Sequence, residues 1–175
     1  MSASIDCAYY KSPVGDLIIG VYNDAVCMID WKYRKMRSQI DQRICSFFKS
    51  EYIFQGHPLH DVVTHELEAY FQKQVTTFSF PLNLAGTSFQ CEIWKLLQQI
   101  PYGKTLSYLQ LAKLYGNELA IRAVASANGA NAISIVIPCH RIIGSKGELT
   151  GYAGGIQAKK KLLQLEGNNL QAELF

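Results

Sequence analysis

The residues best placed to do chemistry together are Pro138-Cys139-His140-Arg141. A thiol beside an imidazole and a guanidinium sits in surroundings that lower a cysteine pKa from about 8.5 and supply thiolate at neutral pH. The chemistry on offer is nucleophilic attack by sulfur; the plainer alternative is packing, since free cysteines are among the most buried residues. Neighbouring side chains on an extended segment point in opposite directions, so His140 would reach the thiol through a bend or a bridging water. Glu166 falls in the last turn of an expected helix, where the macrodipole disfavours an anion by about 0.3–1 kcal/mol. Such a placement asks for a cationic partner, and His140 is one candidate; an exposed glutamate tolerated at a helix end is the other reading.

Several elements must hold these groups. Ile133–Ile137 is a β-branched apolar run that delivers the cysteine from a buried position. After it come a short hairpin around Ser145-Lys146-Gly147-Glu148, the stretch Thr150–Gly155, and a helix from Ile156 to Glu166 stopped by Gly167. Upstream, Ser107-Tyr108-Leu109-Gln110 fits a capping box. The helix it opens runs to about Tyr115, Gly116 ends it, and a second helix follows Asn117 through Ala130. Two short helices joined by a glycine-containing turn make a helix-turn-helix candidate. Apart from Arg122, the second helix carries nothing able to read base edges in a major groove. Its small face, Ala123, Ser126, Ala127 and Ala130, suits either tight packing on a neighbouring helix or close approach to a minor groove.

The first half reads differently. Cys7–Trp31 alternates β-rich runs with turn signals, an antiparallel meander of two or three strands. Residues 33–48 and 61–74 read as helices, the second with Leu67, Tyr70 and Phe71 on one face, and Gln55–Pro58 as the loop between them. Residues 75–88 lack helical period and form a connection, with the boundary between two domains near Gly86, giving 1–86 and 87–175. Phe89–Gln99 returns to helix, with Phe89, Ile93, Leu96 and Leu97 as its stripe.

Composition bounds the function. With 175 residues, 49% hydrophobic and 18% charged, disorder, fibrous repeats and a charged tail protein are excluded. Residues 1–86 carry eight Lys/Arg against nine Asp/Glu and residues 87–175 nine against five, so the halves stand at −1 and +4. The excess in the second half is mild evidence for a polyanionic partner there. Five cysteines without CxxC spacing argue against a disulfide framework or zinc ribbon and for a reducing compartment. No secretory signal is visible over Met1–Pro13, and the longest uncharged stretch, Ala123–Cys139, is too interrupted to span a membrane. His57-Pro58-Leu59-His60 and His65-Glu66 lack HExxH spacing, so no metal is expected.

The Pro138-Cys139-His140-Arg141 core, preceded by Asn131 and the aliphatic run, resembles the active-site signature of the O6-alkylguanine-DNA alkyltransferases. The likeness continues through Gly86-Thr87-Ser88-Phe89-Gln90, Ile93-Trp94, Ile100-Pro101-Tyr102-Gly103, Ser107-Tyr108, Arg122-Ala123-Val124, Gly151–Gly155 and Leu163–Gly167. It covers essentially all of residues 86–167; before that only Ser12-Pro13-Val14-Gly15 matches, loosely. The resemblance implies an α+β fold: a small N-terminal α/β lobe with an antiparallel, ribonuclease-H-like sheet, and a mostly helical, winged-helix-like C-terminal domain that binds DNA and holds the active site. It implies that Cys139 accepts the alkyl group, with His140 and Glu166 as a proton relay through a water and Asn131 as the hinge. Tyr108 corresponds to the phenol that protonates guanine N3 and Arg122 to the finger that replaces a flipped nucleotide. Ser107, Ala123, Ser126 and Ala127 join Arg122 on the DNA side, and Tyr152, Ala153, Ile142 and Lys159 fall around the pocket for the extruded base.

A protein of this kind uses no cofactor, acts as a monomer on duplex DNA containing O6-alkylguanine from the minor-groove side, and is cytoplasmic, or nuclear in a eukaryote. Two departures stand out. Ala132 replaces the usual proline, loosening the restriction on Asn131, and Ala153 stands where some members have serine. Two other readings stay open: a DNA-binding regulator or damage sensor without chemistry, and a cysteine hydrolase built on Cys139, His140 and Glu166, for which Pro138 has no N–H to offer an oxyanion.

Overall fold

The chain doubles back twice at its start, at Pro13-Val14 and at Asn23-Asp24, where both residues of the second turn take positive φ (49° and 57°), the twist that tight hairpins need. The computed structural model describes residues 3–168. Strands β1 (Ile5–Ser12), β2 (Gly15–Tyr22) and β3 (Ala25–Trp31) form the expected antiparallel meander. A fourth strand, β4 (Tyr52–Phe54), adds in parallel to β1, giving the order β3-β2-β1-β4. The sheet is therefore mixed at one edge, and a three-residue strand is too short to announce itself by period.

Helix α1 (Arg37–Phe48) packs Ile40 and Ile44 with Cys7, Ile18 and Met28, whereas α2 (Pro58–Phe71) packs Val63, Leu67 and Tyr70 with Leu17, Ile19 and Ile29. Both faces of the sheet are thus covered. The second helix starts earlier than its apolar period suggests, because His57 Nδ1 caps the Leu59 N–H at 3.1 Å and Pro58 suits the first turn. The connection that follows is tied to the outer edge of β3, with Val26 N–H donating to the Pro81 carbonyl and Asn83 N–H to the Val26 carbonyl, each at 2.8 Å.

The second half is mostly helical: α3 (Ser88–Gln98), α4 (Tyr108–Tyr115), a 3-10 turn at Glu118–Ala120 leading into α5 (Ile121–Gly129), and α6 (Ile156–Leu165). Thr87 with Gln90, and Ser107 with Gln110, form complete capping boxes. Gly116 closes α4 in the left-handed conformation, φ 92°, which a side chain would disfavour. Two short strands, β5 (Leu106–Ser107) and β6 (Ile142–Ile143), pair in parallel.

Two expectations need correction. Ile133–Ile137 is buried but not extended: Ile135 has φ 72° and Ile137 N–H returns to the Ile133 carbonyl at 2.9 Å, a turn. Hydrogen bonds from the neighbouring sheet override β propensity there, since Ile29 N–H donates to the Ala132 carbonyl and Ser134 N–H to the Ile29 carbonyl. Residues 144–148 form a tight turn, Gly144 N–H to the Glu148 carbonyl at 2.8 Å, rather than a hairpin.

Candidate active site

Cys139, His140 and Arg141 occupy one buried 3-10 turn. In so tight a turn successive side chains diverge, so the thiol and the imidazole address different neighbours. The Cys139 thiol receives the Asn131 Nδ2–H at 3.2 Å, and the same amide donates to the Ile137 carbonyl at 2.8 Å. Asn131 Oδ1 accepts from Ile133 N–H at 2.9 Å, so one side chain braces the loop at its entry and exit. The Ala132 carbonyl next to it is itself held by the edge of β3.

His140 and Arg141 both turn to Glu166, which ends α6. The His140 Nε2 to Glu166 Oε1 distance is 2.8 Å, Arg141 grips both carboxylate oxygens at 2.9 Å, and the Tyr70 hydroxyl donates to Oε1 at 2.7 Å. Arg141 also donates to the Ile100 carbonyl at 2.6 Å. The anion at the helix end is therefore paired, not exposed. Burial alone would raise this carboxyl, but the hydrogen bonds from His140 and Arg141 hold it at about 2. An ionised Glu166 requires Nε2 to carry the imidazole proton, which leaves Nδ1 as a lone pair; that atom is buried and has no hydrogen-bond partner among the described residues.

Burial lowers the His140 pKa, with Glu166 opposing, so the ring is neutral at rest. Burial raises the Cys139 thiol, with the Asn131 bond and the Lys159 charge opposing. The expectation that the neighbouring imidazole and guanidinium would hold a thiolate is corrected here. Arg141 belongs to Glu166, His140 is uncharged, and the resting nucleophile is a thiol that needs a base.

A cavity of about 750 Å³ opens over Cys139, bounded by Tyr108, Tyr152, Ala153 and Gly154 and, across from them, by Trp31. Tyr152 meets Trp31 edge to face, with 5.6 Å between ring centres, and its hydroxyl is buried. Burial raises its pKa well above the ordinary value, so it is a neutral donor. Tyr108 reaches the Thr150 carbonyl at 3.4 Å.

The model of the 6-O-methylguanine DNA methyltransferase ribonuclease-like domain matches residues 5–84, and that of the DNA binding domain of the same proteins matches residues 88–168. A methylated-DNA–protein-cysteine methyltransferase of Methanosarcina acetivorans is 37% identical over 161 residues, 92% of this chain and 97% of the relative. This chain belongs to that methyltransferase family. A Mycobacterium bovis protein of the same name is 50% identical over 109 residues, 62% of this chain and 66% of its own. A crystal structure of Mycobacterium tuberculosis OGT in complex with DNA superposes with a TM-score of 0.78 at 36% identity, covering 93% of this chain and 92% of that one.

Against the alkyltransferase pattern, the remaining site residues divide. Arg122, Ala123 and Ser126 lie on the exposed face of α5. Ala127 does not: it is 2% exposed and its carbonyl accepts the Trp94 indole N–H at 2.8 Å, so the helix turns it to the core. The Ser107 hydroxyl oxygen caps α4, accepting from Gln110 N–H at 3.1 Å. Ile142 and Lys159 are fully buried and do not line the cavity. Lys159 lies behind its wall, Nζ donating to the carbonyls of Ile142, Thr150 and Gly151 at 2.5, 3.0 and 3.4 Å, and desolvation brings its pKa down to about 8.

Three contributors went unforeseen: Tyr70, Arg141 as partner of Glu166, and Arg34. Arg34 pairs with Asp30 at 3.1 Å and donates to the carbonyls of Asn131 (2.9 Å) and Gly129. The buried Asp30 charge was the one available signal, and nothing in the sequence shows that it is buried.

Proposed function

We propose that this protein repairs DNA by moving the alkyl group of an O6-alkylguanine onto its own Cys139, once per molecule. The observation that carries this is a buried thiol, braced by Asn131 and facing a cavity large enough for a base, beside an imidazole whose second nitrogen is a lone pair oriented by Glu166. Duplex DNA lies along α4 and α5 on its minor-groove side, where Arg122 fills the gap left by the flipped nucleotide and Ala123 and Ser126 permit close approach. A shallow groove and a small-residue face match in shape.

The thiol proton passes to His140 Nδ1 through a water, and Glu166 stabilises the imidazolium that forms. Sulfur attacks the alkyl carbon, the bond to O6 breaks, and its electron pair returns to the base, which takes a proton from Tyr108 at N3. A backbone N–H near Ala153 serves O6, and Tyr152 walls the base. The thioether product has no leaving tendency, so the protein is consumed. No cofactor enters this scheme, and a hydrolase would need an oxyanion donor that Pro138 cannot provide.

We assign residues 1–86 to support and 87–175 to DNA binding and acceptance, with positions 1, 2 and 169–175 outside the described residues. The working form is a monomer in the reducing cytoplasm, or the nucleus of a eukaryote. The stoichiometry tests it. Titrating a duplex carrying one O6-methylguanine should restore one guanine per protein and then stop; continued product formation beyond one equivalent would reject the reading.

A further inference from the structure

Glu166 Oε1 is crowded with donors, and one of them comes from the other half of the chain. That oxygen accepts from His140 Nε2 at 2.8 Å, from Arg141 at 2.9 Å and from the Tyr70 hydroxyl at 2.7 Å. Oε2 is held separately, by Arg141 Nε at 2.9 Å and the Gly103 N–H at 3.4 Å. A carboxylate offers about two lone-pair sites on each oxygen, so three donors compete for Oε1 and each weakens the others. Tyr70 is not needed to place the carboxylate, because Arg141 grips both oxygens and is itself anchored on the Ile100 carbonyl.

The phenol is fixed in its own right. Tyr70 is fully buried on α2, its ring edge to face with Phe71 and Tyr102 at 5.4 and 6.1 Å and tilted against Phe78 at 5.6 Å. Burial and the carboxylate push its pKa far above the ordinary value, so it stays a donor at every working pH. The other groups around the imidazole act differently. Cys139 and Arg141 share its turn, Arg141 and Lys159 are nearby cations that disfavour a charged ring, and Tyr152 stands 6.4 Å from it. Tyr102 sets its ring against the Arg141 guanidinium and donates its hydroxyl to the Leu165 carbonyl at 3.2 Å.

We propose that Tyr70 is a positioning residue of the proton relay: by sharing Glu166 Oε1 it weakens the pull of the carboxylate on His140 and keeps the imidazole free to take the thiol proton. This rests on the alkyl transfer proposed above. It gives the N-terminal half a part in the chemistry beyond support. The sign follows from the geometry. Removing the hydroxyl takes a competing donor off Oε1, so the carboxylate acts more fully on the imidazole and favours its charged form.

The test is Tyr70→Phe, which removes one oxygen and leaves Oε1 with two donors. The His140 imidazole titration, read by NMR in the protein without DNA, should move to higher pH by about half a unit or more. The acid limb of the single-turnover methyl-transfer rate, measured on a duplex carrying O6-methylguanine, should move with it. Tyr102→Phe deletes a neighbouring hydroxyl that serves the Leu165 carbonyl and should leave both readouts in place. Should Tyr70→Phe fail to fold by circular dichroism, a ring fluorine on Tyr70 makes a stronger donor of nearly the same shape and should move both readouts to lower pH. An imidazole titration that stays in place or moves the opposite way overturns the proposal. So does an equal shift in Tyr102→Phe, or a rate loss of the same size at every pH, which marks a purely structural role. No methyl on Cys139 in the unaltered protein would instead reject the underlying alkyl transfer, and the relay role with it, whatever the imidazole titration shows.

Discussion

Burial favours the neutral thiol of Cys139 and the neutral imidazole of His140, and that fixes the pH behaviour. Burial holds His140 below its ordinary 6.5, so the base is available at pH 7 and lost only as pH falls through its lowered value. The transfer rate should stay level down through pH 6.5 and then decline; a decline already complete above pH 6.5 would contradict the assignment. Stability has its own acid limb. Because Glu166 is held at about 2 from an ordinary 4.5, its contribution is complete above pH 4.5 and lost as pH falls toward 2, which acid unfolding followed by circular dichroism will read.

Replacing it by Glu166→Gln leaves the Arg141 guanidinium buried without its counter-charge, so unfolding should be easier by about 3–5 kcal/mol. Transfer should slow by roughly 10²–10⁴-fold through loss of the oriented base. Denaturant melts and single-turnover rates give the two values separately. Cys139, His140 and Glu166 were legible because residue type and helix position carry their chemistry. Tyr70 was not, because its contact with Glu166 spans 96 positions and only the tertiary fold makes it.

Elements were legible where local signals repeat and obscure where a neighbour decides. The Ser107 capping box, Gly116 and the Gly167 stop marked helix ends, whereas the β-branched Ile133–Ile137 run gives no sign that the edge of β3 bends it into a turn. Strand pairing and Arg34 together fasten that turn. Arg34 joins Asp30 to the carbonyls at the end of α5 and at Asn131; Arg37 still pairs Asp30 at 2.9 Å, so Arg34→Ala should cost about 1–3 kcal/mol, mainly by leaving the buried carbonyls without their donor. Arg34→Lys should recover little of it, because an ammonium lacks the planar fork that serves carboxylate and carbonyls together. Urea unfolding midpoints measure both, and full recovery by lysine would show that charge alone matters there. On α5, Ala127 shows why a small-residue face cannot be assigned from spacing alone: the same spacing serves the core on one side and the exposed surface on the other.

The two halves are joined through the sheet edge and the Arg34 bonds, neither of which periodicity could reveal, whereas the α+β character followed from the family resemblance. Charge is distributed to match: the acceptor half carries the +4. Binding to duplex should therefore weaken with salt, log affinity falling linearly with log salt by about 0.9 per phosphate neutralised. A salt-independent affinity by fluorescence anisotropy would count against the proposed DNA face. The central claim is the acceptor. Intact mass and peptide mapping after mixing the protein with excess duplex containing O6-methylguanine, beside Cys139→Ala, test it most directly. One methyl on Cys139, saturating at one per molecule and absent from the variant, is the expected result; an unmodified Cys139 on protein that still binds the duplex would contradict it.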